Sequence, residues 1–144
     1  MIVVDSSVWI DFFRGSVHPA TDALKTLLRR EPEQLVVPDL VLYEVLRGFR
    51  HERDYQNARY LLEGFIVEAA FDPELARQAA THYRTMVSAG FTIRSALDVM
   101  IGTFCLHRDY LLLHQDRDFD TMHRLLGLRV MRVQRTSSPP AGAS

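Results

Sequence analysis

Cysteine and lysine are almost missing from this 144-residue chain, with Cys105 and Lys25 the single example of each. One thiol excludes an internal disulfide framework and any cysteine-based zinc site. No apolar run approaches the roughly 20 residues that a membrane span needs, and the start Met1-Ile2-Val3-Val4-Asp5 lacks a signal peptide's layout. The expected compartment is therefore the cytoplasm, with no membrane partner. No phosphate-binding Walker A loop, G-x-G-x-x-G or G-x-S-x-G occurs, and His51-Glu52-Arg53-Asp54-Tyr55 places tyrosine where a zincin needs its second histidine. Charge of one sign is lacking too: 17 basic and 18 acidic residues give a net charge of −1. A whole-chain basic field for nucleic acid is excluded, so any grip on phosphate must rest on local patches. What is present is 47% hydrophobic and 24% charged residues, the composition of one globular domain and too apolar for disorder. All other basic residues are arginine, which suits phosphate and carboxylate partners but also follows from base composition alone.

Apolar residues fall in short runs at strand and helix spacing. Ile2-Val3-Val4 reads as a buried parallel strand ending at Asp5. A helix follows with Val8, Trp9, Phe12 and Phe13 on one face; Ser6 or Ser7 is expected to cap it and Gly15 to stop it. Leu24, Leu27 and Leu28 recur at helical spacing between Thr21 and Arg30. Leu35-Val36-Val37 is a second strand closed by Pro38, and Asp39 is expected to cap a helix that Gly48 ends. A polar helix over Arg53 to Glu63, a strand at Phe65-Ile66-Val67 and a helix from Pro73 to Gly90 come next. Ser95 to His107 is a strongly apolar helix, Leu111-Leu112-Leu113 a fourth strand, and Phe119 to Leu126 a short helix. Leu128 to Val133 is a candidate edge strand, and Thr136 to Ser144 reads as a disordered tail behind a single domain over 1–135. Strands alternating with helices predict an α/β domain whose parallel sheet has helices on both faces. Ligands in such sheets sit beyond the carboxyl ends of the strands.

The acids carry the chemical signal. Asp5 follows the first strand, in crevice position, although an acid there also suits a helix N-cap. Glu44 interrupts the apolar stretch Leu40 to Leu46, either buried with a partner or facing solvent beside Arg47. Asp98 is the single charge between Arg94 and His107; aspartate is a poor helix-interior residue, and the bland alternative is a pair with Arg94. Asp116 and Asp118 follow the fourth strand; Asp116 is the better crevice candidate, and Asp118 is expected to cap the Phe119 helix. Two carboxylates ~4 Å apart repel by roughly 4 kcal/mol at an effective dielectric of ~20. Four clustered acids therefore need protons or a divalent cation, and an all-oxygen set suits Mg²⁺ or Mn²⁺ rather than zinc. Metal-assisted attack of water on a phosphate ester is the chemistry such a set serves. Cys105 reads as a core residue, and among the scattered histidines His114 and His123 suit a surface or capping place as well as a catalytic one.

Three segments, Ile2 to Ile10, Leu42 to Gly48 and Ile93 to Ile101, are followed by Leu112-Leu113-His114-Gln115-Asp116-Arg117-Asp118-Phe119. In that order and spacing they resemble the PIN-domain ribonucleases, specifically the VapC toxins of type II toxin–antitoxin pairs. The resemblance implies a three-layer α/β/α domain around a central parallel sheet of four or five strands. It assigns Asp5, Glu44, Asp98 and Asp116 to an acidic metal cluster for Mg²⁺ or Mn²⁺, with Ser6 or Ser7 orienting the first acid or a bound water. It leaves Asp118 between ligand and a contact to the metal's waters. It further implies an endoribonuclease for structured RNA of the tRNA or rRNA class, a homodimer, and a VapB-type antitoxin forming a hetero-oligomer with it. Arg14, Arg47, Arg94 and Arg117, close in sequence to the acids, are the RNA-binding candidates, each with a carboxylate salt bridge as its alternative. Two other classes stay open. A haloacid-dehalogenase-like phosphatase also has an Asp after its first strand but needs a second two residues on, where Ser7 stands; a PIN-like RNA-binding regulatory module would lack nuclease activity.

Overall fold

A computed structural model describes residues 1–133, so the expected tail and the last two residues of the expected domain lie outside the described residues. Four short strands, β1 (Ile2–Val4), β2 (Leu35–Pro38), β3 (Ile66–Glu68) and β4 (Leu111–Leu113), form one parallel sheet in the order β3-β2-β1-β4. Ile2 sits opposite Leu35 on one side and Leu111 on the other, which aligns the carboxyl ends of the central strands. Every residue of β1 and β2 is buried, as continuous β-branched and apolar runs require when both faces of a sheet are covered. β3 closes one edge and leaves Ile66 and Val67 partly exposed.

The helices are α1 (Ser6–Phe13), α2 (Pro19–Arg30), α3 (Asp39–Leu46), α4 (Glu52–Glu63), α5 (Pro73–Ser88), α6 (Ala96–Arg108) and α7 (Arg117–Leu126). The chain steps from β1 to β2 to β3 in one direction, then returns past β1 to β4. Right-handed crossovers put α1 to α4 on one face and the β3–β4 connection on the other, giving three layers. Packing agrees: α1 contacts α2 and α3, while α5, α6 and α7 contact one another. Gly102 lets α6 approach α7, because a Cβ there would run into the Met122 side chain. The strand order reverses between β1 and β4, and such a switch point opens a crevice beyond the strand ends.

Four local expectations are corrected. Asp5 itself, not Ser6 or Ser7, is the N-cap of α1. Asp39 is the first residue of α3 rather than its cap, and its carboxylate also accepts from the Ala70 amide at 2.9 Å, tying α3 to the segment after β3. The helix expected from Phe119 begins at Arg117, so Asp116 takes the cap position. Leu128 to Val133 supplies one bridge, Val130 to Leu112, and no strand, which keeps the sheet at four. Gly127, at φ 76°, turns the chain back, and the segment then pairs with Leu112 alone through the Arg129 carbonyl and the Met131 amide.

Candidate metal centre

Sheet register delivers the first acid. The Asp5 amide donates to the Leu113 carbonyl at 2.9 Å, extending the β1–β4 ladder by one residue and fixing Asp5 at the switch point. Its carboxylate then turns over the start of α1, where Oδ2 accepts from the Ser7 amide at 3.2 Å and the Ser7 hydroxyl at 2.6 Å. Capping and crevice position, alternatives by sequence, are here the same placement, and Asp5 is 1% exposed. Buried Ser6 lies beside it, its Oγ 3.4 Å from Asp5 Oδ1 and also bonded to Glu44 Oε1, with one proton for either acid.

Glu44 comes from α3 and is half-buried; Arg47 Nη2 reaches only to 4.0 Å from its Oε2. Asp98 lies in the first turn of α6, buried, its amide donating to the hydroxyl of the cap residue Ser95 at 3.2 Å. Asp5, Glu44 and Asp98 each offer an oxygen within 4.8 Å of the others. Asp116 is not part of that mutual set; it stands beside Asp98. Asp118 does not cap its own helix. Its buried carboxylate accepts from the Arg94 and Ser95 amides at 3.1 and 3.0 Å, and so holds the start of α6, the helix that carries Asp98.

Desolvation and crowding raise Asp5 and Asp98. Burial pushes the Asp5 carboxyl up to about 6, against the Ser7 hydrogen bonds that favour the anion, with the Glu44 charge adding to the rise. Asp98 is raised further, by burial first, then by the charges of Asp5 and Asp116 and by its hydrogen bond with Asp116. Among the described residues no cation pairs with Asp5 or Asp98, and Arg94 makes no ion pair with Asp98. An all-oxygen set of crowded carboxylates suits a hard divalent cation. Cys105 is buried in α6, its thiol pushed up by burial and by the Asp5 charge, which leaves it an inert core residue.

The candidate arginines are not gathered into one surface. Arg14, exposed at the end of α1, lines a groove of about 550 Å³ with Phe13, Phe49, Arg50 and His51. Arg47 lies on the exposed side of α3, its guanidinium 5.7 Å from the Tyr43 ring centre. Arg94 lines a different, apolar groove with Tyr83 and Met100, and exposed Arg117 opens α7. Of the four guanidinium groups, only that of Arg47 comes within 4.0 Å of a carboxylate among the described residues. Arg50 and His51, beside Arg14, were not signalled by the sequence, because neither is near an acid of the cluster in the chain.

A family model for the PIN domain matches residues 2–125. The chain belongs to the PIN-domain family. Among curated relatives, Ribonuclease VapC11 of Mycobacterium tuberculosis and VapC ribonuclease Mb1587 of Mycobacterium bovis are each 28% identical over 129 residues, 90% of this chain and 96% of the relative. Among solved structures, VapBC2 from Rickettsia felis, bound to a DNA fragment from its promoter, superposes with a TM-score of 0.71 at 14% identity, covering 93% of this chain and 100% of that one. Mycobacterium tuberculosis VapC20, described as a sarcin-ricin loop cleaving toxin, gives a TM-score of 0.63 at 21% identity over 83% of this chain and 93% of that one. These structures share the three-layer fold of this PIN domain.

Proposed function

We propose that this PIN domain is the toxin of a type II toxin–antitoxin pair, an endoribonuclease that uses Mg²⁺ or Mn²⁺ held by Asp5, Glu44, Asp98 and Asp116. The observation that carries the reading is the convergence of three carboxylates at the switch point, two of them buried and unpaired, with a fourth alongside. When bound, a divalent ion polarises the phosphate and activates water for attack on it. The chain's residues prepare that site. Ser7 aims Asp5 and favours its anion through two hydrogen bonds. Ser6 holds its proton between Asp5 and Glu44. Asp98, raised by its neighbours, keeps a proton that leaves as the ion enters. Where a haloacid-dehalogenase-like phosphatase needs a second acid, Ser7 is spent on orienting Asp5, which argues against that reaction.

Structured RNA of the tRNA or rRNA class is the substrate, supported by relatives named as ribonucleases and by one neighbour described as cleaving the sarcin-ricin loop. The partner is a VapB-type antitoxin, supported by neighbours solved as VapBC and FitAB complexes, and the toxin works as a homodimer within that assembly. An antitoxin arginine entering the crevice would neutralise the carboxylates that otherwise hold the ion. A cytoplasmic site of action agrees with the finding that no helix of the described residues is long and apolar enough to cross a membrane. Purified protein freed of antitoxin is expected to cleave tRNA or rRNA with Mg²⁺ or Mn²⁺ and to stop with EDTA. Full cleavage in EDTA would contradict the metal assignment; metal-dependent cleavage by a protein harmless on expression would remove the toxin reading alone.

A further inference from the structure

The fourth carboxylate is presented differently from the other three. Glu44 and Asp98 stand within helices and Asp5 caps α1 with its own carboxylate, whereas Asp116 sits at the N-cap of α7 without a side-chain cap bond, at the end of the irregular loop after β4. His114 Nε2 lies 3.7 Å from Asp120 Oδ1 of α7, and two hydrogen bonds hold the loop itself. The Asp116 amide donates to Nδ1 of His114, whose ring packs against Phe119. Gln115, the residue just before Asp116, reaches 104 positions back in the chain and donates from Nε2 to Asp11 Oδ2 at 2.7 Å, with the Ser7 carbonyl 3.4 Å away. Asp11 is on α1, outside the acidic cluster and partly buried, and the same Oδ2 lies 2.9 Å from His18 Nε2 in the loop before α2. The hydrogen bond from Gln115, together with His18, holds the Asp11 carboxyl below its ordinary range, so that it is ionised at neutral pH. One carboxylate thus joins the helix capped by Asp5, the loop before α2 and the loop that ends in Asp116.

We propose that Asp11 is a positioning residue for the divalent-ion site: through Gln115 it fixes the loop that presents Asp116, and His18 holds Asp11 in place. The proposal rests on the reading of the acidic cluster as a divalent-ion site. A glutamine–carboxylate bond at a partly exposed place adds little to global stability, because water competes for both groups. Its consequence is geometric, since the Asp116 carboxylate makes no cap bond of its own to restore its position once the loop is released.

The test uses the full chain in two measurements. In ion-free protein, the Asp116 amide is expected to exchange with solvent about tenfold faster in Asp11→Ala and in Gln115→Ala than in wild type, at similar melting temperature. Gln115 is exposed, so its variant serves where Asp11→Ala does not fold. In calorimetric titration with Mn²⁺, Asp11→Ala is expected to weaken binding by roughly tenfold, the scale for a group that orients a ligand. That loss is expected to vanish when Asp116 is already Asn, because the two act in series. Gln115→Glu sets two carboxylates face to face and should weaken Mn²⁺ binding as well; adding Asp11→Asn restores a donor–acceptor pair with the roles exchanged, and should restore affinity. Unchanged amide exchange in Asp11→Ala and Gln115→Ala would overturn the proposal whatever the ion does. Fully additive losses with Asp116→Asn would overturn it too, and would leave the ion site standing. Failure of wild type to bind Mn²⁺ would overturn the ion site and this proposal together.

Discussion

Asp5 and Asp98 are the two buried acids of one crevice, and they are solvated by different means. Asp5 is the more completely enclosed, yet two hydrogen bonds from Ser7 offset part of its burial. Asp98 has carboxylates as its polar company and is raised further. Burial alone therefore does not set the poise of the site; the identity of the neighbours does. The β1–α1 end favours the anion through its hydrogen bonds, while the start of α6 is a place where the carboxyl keeps a proton until a counter-ion replaces it.

The largest expected effect separates function from stability at those two positions. Asp5→Asn and Asp98→Asn should each reduce RNA cleavage at least roughly a hundredfold, the upper end for a disturbed metal site. In ion-free protein at pH 8, Asp98→Asn should raise the melting temperature by a few degrees, because it removes a charge that burial and its neighbours disfavour. Asp5→Asn should raise it less, since Asp5 is raised less and its anion accepts the Ser7 bonds. Equal gains would erase the contrast between the two ends.

Asp118→Ala comes next. It strips a buried carboxylate acceptor from two partly buried amides, those of Arg94 and Ser95, and should cost about 2–3 kcal/mol by denaturant unfolding. Its effect on Mn²⁺ affinity should stay smaller than that of Asp116→Asn, because Asp118 holds the helix start while Asp116 stands beside Asp98. A loss of affinity with unchanged stability would instead make Asp118 a ligand.

The pH response is smaller and has a definite sign. Asp5 and Asp98 have higher pKa values folded than unfolded, so the folded chain binds more protons from about pH 4 upward, through about 6 for Asp5 and higher for Asp98. Ion-free stability from these groups is greatest below pH 4 and falls as pH rises through that window. Mn²⁺ should stabilise most at the upper end, where the carboxylates are free of protons. Thermal unfolding from pH 5 to 8, with and without Mn²⁺, reads both trends. The smallest effect belongs to Ser7→Ala, which removes one hydroxyl bond from Asp5 at about 1 kcal/mol. It should move the acid limb of the Mn²⁺-dependent rate profile to higher pH, because the Asp5 anion loses a donor; an unmoved limb would assign that limb to another group.

Much of this arrangement was legible in the chain. Four apolar triplets gave the four strands, and Asp98 stood out as one charge in an apolar helix. The alternative partners for Asp98 and Glu44 were local arginines, and the fold sets those aside in different degrees: Arg94 makes no ion pair with Asp98, and Arg47 stays at 4.0 Å from Glu44. The division of labour between Asp116 and Asp118 was half legible. Spacing from β4 pointed Asp116 at the crevice, but α7 starts two residues earlier than its apolar pattern suggests. What Asp118 accepts from lies 24 and 23 residues away, at the cap of α6 and the residue before it, a tertiary contact that no local pattern encodes. The Asp11–Gln115 bond escaped for the same reason. Leu128 to Val133 carried strand-like composition without a partner long enough to pair with, since β4 has three residues.

The central claim is that the crevice is built for a divalent cation which replaces protons on its acids. Calorimetric titration of the ion-free protein with Mn²⁺ at pH 7, repeated in buffers of different ionisation enthalpy, measures binding and proton release together. The account predicts saturable binding with net proton release, and reduced affinity and release in Asp98→Asn. Binding that releases no protons and is the same in wild type and Asp98→Asn, or no binding at all, would contradict it.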